Sequence, residues 1–167
     1  MLYFVFSYDN DAVINMKYVT MEIQDGLGAS VEFTFDAGNL TWDEGFTWEY
    51  ILNRGRVGAA HGAAVREGDE VPLGLNFQGR FSFYKSVGDV KPWSILTNDR
   101  GAGSYTGTDT TNCAPYAVNI LLSNVPGCSD EEQLLFRDFR PDTLSFDVKA
   151  GQVSVVGRCN ATTPEKV

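Results

Sequence analysis

The stretch VPLGLNFQGRFSFYK, residues 71–85, decides the fold class of this chain. Apolar side chains occupy nearly every second position, and Pro, Gly, Asn, Gln, Arg and Ser take the positions between them. A period of two is typical of an antiparallel strand that packs one face against a core and exposes the other. We therefore predict a long strand here, bent at Gly79, where a residue without a side chain interrupts the alternation.

The same alternation recurs along most of the chain and predicts further antiparallel strands. One or two helical turns are predicted near residues 89–97, with Asp89 as a candidate N-cap. Residues 129–136 fit a short helix or a strand equally well. The predicted fold is mainly β: an antiparallel β-sandwich or barrel with one short helix and a long inter-strand loop. The remaining predicted strands cover residues 18–23, 31–36, 46–52, 116–122, 143–148 and 152–159, with a hairpin turn at 149–151.

Length and composition predict a single domain over residues 1–167. The chain has 167 residues, 43% of them hydrophobic, so it can bury a sizeable core. Its 22 acidic and 13 basic residues give a net charge of −9. A nucleic-acid binder needs a basic footprint, so this balance argues against affinity for DNA. The longest apolar run, residues 1–6, is too short for a membrane span and lacks the flanks of a signal peptide, which favours a cytosolic origin.

The sequence predicts no enzyme, no metal site and no cofactor. The one histidine, His61, lies among small residues of a loop, and no serine has a nucleophile-elbow motif around it. Cys113, Cys128 and Cys159 show no C-x-x-C spacing. Buried or half-buried thiols are therefore expected, with one bonded pair or a three-thiolate metal site as alternatives. The tryptophans on strand faces fit the core better than a sugar-stacking platform; the three in the chain are Trp42, Trp48 and Trp93.

Two connections between predicted strands are long. Residues 54–70, RGRVGAAHGAAVREGDE, are rich in Gly and Ala, basic at the start and acidic at the end. A loop of this length in a compact domain is usually functional or disordered. Its charges suit pairing with copies of itself across a repeated interface, and a solvated mixed-charge loop is the alternative. Residues 97–112 form a second polar, Gly-rich stretch, which we expect to be a solvated excursion.

Five segments, taken in order, have counterparts in a known family. They are NLT (39–41), EYILNRG (49–55), VREGDEVP (65–72), CAPYAV (113–118) and FRPDTLSFDV (139–148), followed by GRCN (157–160). In this order they resemble the major tail (tail tube) proteins of long, non-contractile-tailed bacteriophages. The similarity covers residues 17–163 and leaves residues 1–15 as an N-terminal extension.

The resemblance implies a β-sandwich subunit, six of which form a ring around a lumen. Rings stack into a tube through which the genome leaves the capsid. The implied partners are other copies of the chain, the tape measure, terminator and tip proteins of the tail, and genomic DNA in transit without specific binding, with no membrane. The implied location is the virion tail, after assembly in the host cytoplasm. The loop would reach neighbouring subunits and the adjoining ring, through Arg54, Arg56, His61, Arg66, Glu67, Asp69 and Glu70.

The acidic balance suits a conduit for DNA, because carboxylates repel phosphates. At physiological salt this repulsion reaches only about 8 Å, so the acids would have to line a narrow lumen. Strand alternation does not choose between lumen and outer surface. Two alternatives remain open: a related terminator, neck adaptor or baseplate ring protein, and a carbohydrate-binding or hydrolytic virion β-sandwich, which would expose a Trp platform beside a carboxylate pair. The candidate lumen residues are Glu22, Glu32, Asp36, Glu49 and Asp147.

Overall fold

The computed structural model describes residues 19–33, 35–50, 65–82, 91–98, 105–111, 113–124 and 132–167. Eight strands form one antiparallel sheet in the order β2-β1-β7-β8-β9-β6-β3, with β10 paired to β8, and β4 pairs with β5 separately. The mainly β, antiparallel class predicted from the alternation is confirmed. Among these residues, no helix is long and apolar enough to cross a membrane. The elements are β1 (Val19–Gln24), β2 (Ser30–Glu32), β3 (Phe35–Asp43), β4 (Trp48–Tyr50), β5 (Val65–Glu67), β6 (Gly74–Arg80), α1 (Pro92–Thr97), β7 (Val118–Asn124), β8 (Glu132–Asp147), β9 (Gln152–Arg158) and β10 (Glu165–Lys166).

The 16-residue strand β8 belongs to two parts of the sheet. Residues 132–139 pair with β7, and residues 140–147 pair with β9. Asp138, near the end of the first stretch, has a φ of +51° where the register with β7 shifts, and the register with β9 shifts between Pro141 and Thr143. Such irregularities bend a strand and increase its twist. We call β2, β1, β7, β10 and residues 132–139 half A, and residues 140–147, β9, β6 and β3 half B.

Both halves contribute residues to one hydrophobic core. Met21 of β1 and Ile120 of β7 are fully buried in half A, and Leu75 of β6 and Val155 of β9 are fully buried in half B. All belong to a single buried cluster. Burial of each such aliphatic side chain stabilises the fold by about 1.5–3 kcal/mol. The alternation seen in the sequence therefore marks the inward face of β1, β6, β7 and β9.

The edges of the sheet come close together without pairing. Strands β2 and β3 lie at opposite ends of the strand order, yet only residues 33 and 34 connect them. The three steps from Glu32 to Phe35 span at most about 11 Å, so the sheet curls until its edges approach at this point. In the described ranges no register joins β2 to β3, so the sheet is not closed. A complete sandwich or barrel therefore stays a prediction.

The short helix α1 packs against the ends of β6 and β8. The Trp93 ring lies 5.4 Å from the Phe81 ring and 5.9 Å from the Phe146 ring, measured between centroids. The predicted helix is confirmed, but its N-cap is Lys91 and not Asp89. The reason is Pro92 at the first helical position: a residue before proline is driven to extended backbone, and Lys91 has φ −119° and ψ 155°.

The predicted turn between the last two long strands is confirmed. Asp147 Oδ1 accepts a hydrogen bond from the Ala150 backbone N–H at 2.9 Å, and Gly151 has a φ of +66°. A left-handed φ of this kind favours glycine because it has no Cβ. The undecided stretch 129–136 is settled as a strand from Glu132 onward, since it forms the start of β8.

Several predicted strands are shorter in the structure. In the stretch 71–85, β6 covers Gly74–Arg80, and Gly79 pairs with Val153 in unbroken register. The ladder to β9 therefore has no bulge at Gly79, whereas the register with β3 shifts between Phe35 and Leu40. The bend at Gly79 stays a prediction. The strand predicted over 31–36 is divided between β2 and β3. The one predicted over 46–52 begins at Trp48 as β4, and its residues 51 and 52 lie outside the described part of the chain.

Candidate functional site

The outward face of half A carries a pair of glutamates. Glu22 of β1 lies directly opposite Glu32 of β2 in the strand register. Glu22 is half-buried and Glu32 is exposed, and Gln24 Nε2 donates to Glu22 Oε2 at 3.4 Å. Like charges placed opposite each other destabilise a sheet. Across the described part of the chain, no Lys or Arg forms an ion pair with either glutamate, so this pair is uncompensated.

The same row of the sheet continues to a third glutamate. Glu22 lies opposite Leu121 of β7, Leu121 opposite Leu135 of β8, and Leu135 opposite Glu165 of β10. Glu165 forms an ion pair with Arg137. The hydrogen bond from Arg137 holds the pKa of the Glu165 carboxyl below its usual value. The charge at this end of the row is therefore compensated, in contrast to the pair at the other end.

The structure does not bring the other lumen candidates to this face. Asp36 lies on β3 at the far edge of half B, and Glu49 lies on β4 opposite Arg66. Asp147 stands at the end of β8, where its carboxylate holds the following turn. Of the five predicted acids, only Glu22 and Glu32 are neighbours on one surface.

The outward face of half B has a different chemistry. Its described central side chains are neutral, and its charges stand at the ends. Arg80 and Asp147 lie at one end, and Arg158 lies 3.4 Å from Asp142 at the other, as an exposed ion pair. The two outward faces of the sheet therefore differ in charge. Two successive rows across half B are Thr41, Asn76, Val156 and Thr143, and Gln78, Ser154 and Ser145.

The long loop begins and ends in a two-stranded ribbon. β4 and β5 pair antiparallel, with Trp48 opposite Glu67 and Tyr50 opposite Val65. The ribbon encloses residues 51–64, which we call the arm. The predicted interface residues Arg54, Arg56 and His61 lie in the arm, outside the described residues. Arg66 and Glu67 are on β5, and Asp69 and Glu70 follow it as exposed residues.

A small groove lies at the base of this ribbon. The Gly68 N–H donates to the Thr47 carbonyl oxygen at 2.9 Å, and the Thr47 hydroxyl donates to the Asp69 carbonyl oxygen. The segment that leads into β4 touches the segment that follows β5 at Gly45. A Cβ there would stand 2.4 Å from Val71 Cγ1, so only glycine fits. We call this feature the root groove; its volume is about 90 Å³ and its lining residues are Gly45, Phe46, Thr47, Gly68, Asp69, Glu70, Val71 and Thr162.

Part of the second polar stretch is tied to the sheet. The buried Asp25 carboxylate accepts from the N–H groups of Leu27 (2.9 Å), Ala29 (2.7 Å) and Thr106 (3.3 Å). Further along, Arg140 Nη2 lies 2.7 Å from Asp109 Oδ2. The expected solvated excursion is therefore partly right for residues 105–111: Thr106, Thr110 and Thr111 are exposed, but the segment is fastened to the sheet. Composition could not reveal this, because the fastening partners are distant in sequence.

These contacts also change the acidity of Asp109. Hydrogen bonds from Thr111, followed by the Arg140 guanidinium, lower the pKa of the Asp109 carboxyl. Neighbouring Thr108 donates its hydroxyl hydrogen to Asp138 Oδ1 at 2.7 Å. The polar groups of this segment thus hold it against the bend in β8.

The structure gives the surroundings of two cysteines and two tryptophans. Cys159 is 2% exposed, and burial raises its pKa to about 12, with a smaller contribution from Asp138. Cys113 is exposed and free, and Cys128 lies outside the described residues. Trp93 is buried, and the half-buried Trp42 packs edge-on against Phe136 at 5.8 Å.

Neither Trp42 nor Trp93 therefore offers the open platform that a sugar-binding alternative requires. The Trp48 side chain is not among the described groups. In the described ranges, no group of three or more His, Cys, Asp and Glu residues could hold a metal ion. No protein-family model matches the chain, and a search of curated proteins gives no match.

Proposed function

We propose that this protein is a structural tail tube subunit, which assembles into six-membered rings that stack into a conduit for DNA. The observation that carries the proposal is the uncompensated Glu22–Glu32 pair on the outward face of half A. It is joined by the resemblance in the residue segments described above. In the proposed tube, half A faces the lumen and half B faces outward.

Electrostatics explains why such a face suits a conduit. A wall that neutralised phosphates would release counterions from DNA and bind it. Carboxylates on the wall instead keep the duplex from adhering, within about 8 Å at physiological salt. Each subunit in a ring would add the same two carboxylates at the same height. A pair that weakens the isolated sheet would thus serve the assembled tube.

The arm supplies the second element of the proposal. It extends from a hydrogen-bonded ribbon and not directly from the main sheet, so it can contact another subunit without disturbing the core. Its partners in the proposal are further copies of the chain along the tube, while the tape measure, terminator and tip proteins contact the lumen and the tube ends. The protein would act in the virion tail without catalysis.

Electron microscopy of the purified full chain tests this function. We expect hollow tubes of stacked rings in negative stain, and cryo-electron microscopy of those tubes should show β1 and β2 lining the lumen. A monomer that persists at high concentration would contradict the proposal. Single rings that never stack would instead support a terminator, adaptor or baseplate role.

A lysine variant tests the charge argument separately. Replacement of Glu22 and Glu32 by lysine should leave assembly intact and slow DNA release, because the new side chains bind phosphate. The matched control is Asp147→Lys, an exposed acid that holds a turn in half B. Normal release by the double variant, with tubes present, would show that these glutamates do not face the DNA.

A further inference from the structure

Residues 162–167 run along one edge of β8 in half A, and we call them the strap. We propose that the strap is releasable, and that the uncovered edge of β8 binds an extended segment of a partner protein. That segment carries a carboxylate opposite Leu135 and an apolar side chain opposite Leu134. The inference goes beyond the proposed function, because the binding of a strand at this edge requires no ring and no tube.

Few contacts hold the strap to β8. Its strand β10 has two register pairs with β8, whereas β9 has seven. One further backbone bond joins the Val167 N–H to the Gln133 carbonyl oxygen at 3.1 Å. The Arg137 and Glu165 side chains form an ion pair but are 52% and 49% exposed. Exposed ion pairs of this kind contribute little to stability, so little free energy opposes release of the strap.

The strap has a fixed base and a hinge without hydrogen bonds. Cys159 is buried and donates its N–H to the Leu73 carbonyl oxygen at 2.9 Å, and the Leu73 N–H donates to the Ala161 carbonyl oxygen at 2.8 Å. Within the part of the chain that the structure describes, no hydrogen bond involves residues 162–164. Pro164 also has no N–H to donate. Strand β10 can therefore swing away from β8 while the chain up to Ala161 stays in place.

The strap is a poor partner for the inward face of this edge. Leu122 of β7 lies opposite Leu134 of β8, and Leu134 lies opposite Lys166 of the strap. Leu122 is 6% exposed and Leu134 packs against the core, so the position opposite Leu134 adjoins apolar side chains. An inward charge on an edge strand protects the edge against pairing with other chains. A strand with an apolar residue at this position gains burial that the strap lacks, and can therefore displace it.

The outward face of the same edge favours an acidic side chain. Glu165 lies opposite Leu135, and its carboxylate pairs with Arg137 of β8. When the strap leaves, the Arg137 guanidinium can bind a carboxylate of the incoming strand at the same position. Peptides that add a strand to a sheet edge gain affinity from backbone hydrogen bonds and specificity from alternate side chains. The edge of β8 offers both.

An exchange of straps between two copies does not improve the contact. The strap of a second copy carries the same lysine opposite Leu134, so it gains no burial over the chain's own strap. The four steps from Ala161 to Glu165 span at most about 14 Å, so an exchange would require two β8 edges to lie very close together. The chain's own strap also competes at an effective concentration on the order of millimolar. These points favour a partner of different sequence.

A peptide binding assay tests the inference. The fluorescein-labelled peptide ATTPEVV, which is segment 161–167 with Lys166→Val, is titrated with the full chain below its assembly concentration, and its anisotropy is measured. We expect weak, saturable binding by the wild type. The Glu165→Lys variant should bind about tenfold more tightly, because like charges release its strap while Arg137 remains for the peptide. The Lys166→Val variant of the chain should bind more weakly than the wild type, because its own strap fills the edge.

Matched controls separate strand pairing from a general change of charge. Asp142→Lys makes the same change of charge and breaks an exposed ion pair with Arg158, but in half B, so it should leave peptide binding at the wild-type level. The peptide ATTPKVV should bind the Glu165→Lys chain weakly. It should bind the Arg137→Glu chain more tightly, since the charges of both partners are then reversed. Circular dichroism confirms that each variant is folded.

Hydrogen exchange tests release of the strap without any peptide. The Val167 amide should be about a hundredfold or more less protected than the Val155 amide of β9, because segments held by few contacts open locally. Equal protection of the two amides would show that the strap does not open. Absence of peptide binding by the Glu165→Lys chain, or equal binding by that chain and the Asp142→Lys control, would overturn the inference. None of these results depends on tube formation, so failure of the proposed function remains distinguishable.

Discussion

The Glu22–Glu32 pair predicts a substitution that stabilises the isolated subunit. Glu22→Gln keeps the size of the side chain and lets it still accept a hydrogen bond from Gln24, while one of two opposed charges disappears. Coulomb's law gives about 0.8 kcal/mol for two unit charges about 5 Å apart in water, and measured cross-strand pairs contribute about 0.2–1 kcal/mol. For a chain of this length, such a gain corresponds to a rise of about 1–4 °C in the melting temperature.

The assay is urea denaturation followed by circular dichroism, at a protein concentration below that of assembly. The gain in the free energy of unfolding should be largest at low ionic strength. It should shrink to about a fifth in 1 M salt, where the Debye length is about 3 Å. Glu165→Gln is the matched control, because it makes the same chemical change on the same face but removes an ion pair with Arg137. It should give no gain, or a loss.

Opposite signs for these two substitutions would confirm the distinction between the uncompensated and the compensated glutamate. A Glu22→Gln variant that is less stable than the wild type at low salt would refute the reasoning. An effect that does not change between low and high salt would refute it as well, since it would show that charge is not the cause.

Three further predictions concern the core, the fastened segment and the thiols. Phe77→Ala should lower the free energy of unfolding by about 3–5 kcal/mol in urea denaturation, because the 1%-exposed ring contacts Phe33 at 5.0 Å. The depressed pKa of Asp109 stabilises the fold above the carboxyl's unfolded pKa and loses this effect as the pH falls. Asp109→Asn should therefore flatten the decline in melting temperature between pH 6 and pH 3, and an unchanged decline would exclude this carboxylate as a contributor. Alkylation of the native protein at pH 8, mapped by mass spectrometry, should modify Cys113 and spare Cys159, whose pKa is raised to about 12; modification of Cys159 without denaturant would contradict its burial.

The core strands could be predicted because burial imposes a period of two on each of them separately. In β6 and β9 the alternation identifies the inward residues without knowledge of their neighbours. The extent of β8 could not be predicted in this way. Asp138 and the register shift at Pro141 change the phase of the alternation, so the residues before and after them look like separate elements.

The choice of an acidic face also depends on information that no single strand contains. Alternation placed Glu22 and Asp147 alike on non-core positions, but only the pairing of strands shows that Glu22 meets another acid and that Asp147 holds a turn. The hydrogen bond between Thr106 and Asp25 spans 81 residues of sequence. Contacts over such separations follow from the whole topology and not from local pattern.

The order of the strands has a consequence for the timing of synthesis. Val19 of β1 pairs with Asn124 of β7. One edge of β1 therefore stays unpaired until about a hundred further residues have been translated. At about 5–20 residues per second, this delay lasts about 5–20 s. During that interval Met21 and Ile23 lack their partners on β7, Leu122 and Ile120, and the strand presents an unpaired backbone edge. A nascent chain of this protein is therefore exposed to aggregation between the emergence of β2 and that of β7, and a ribosome-bound chaperone that covers β1 would protect it in that interval.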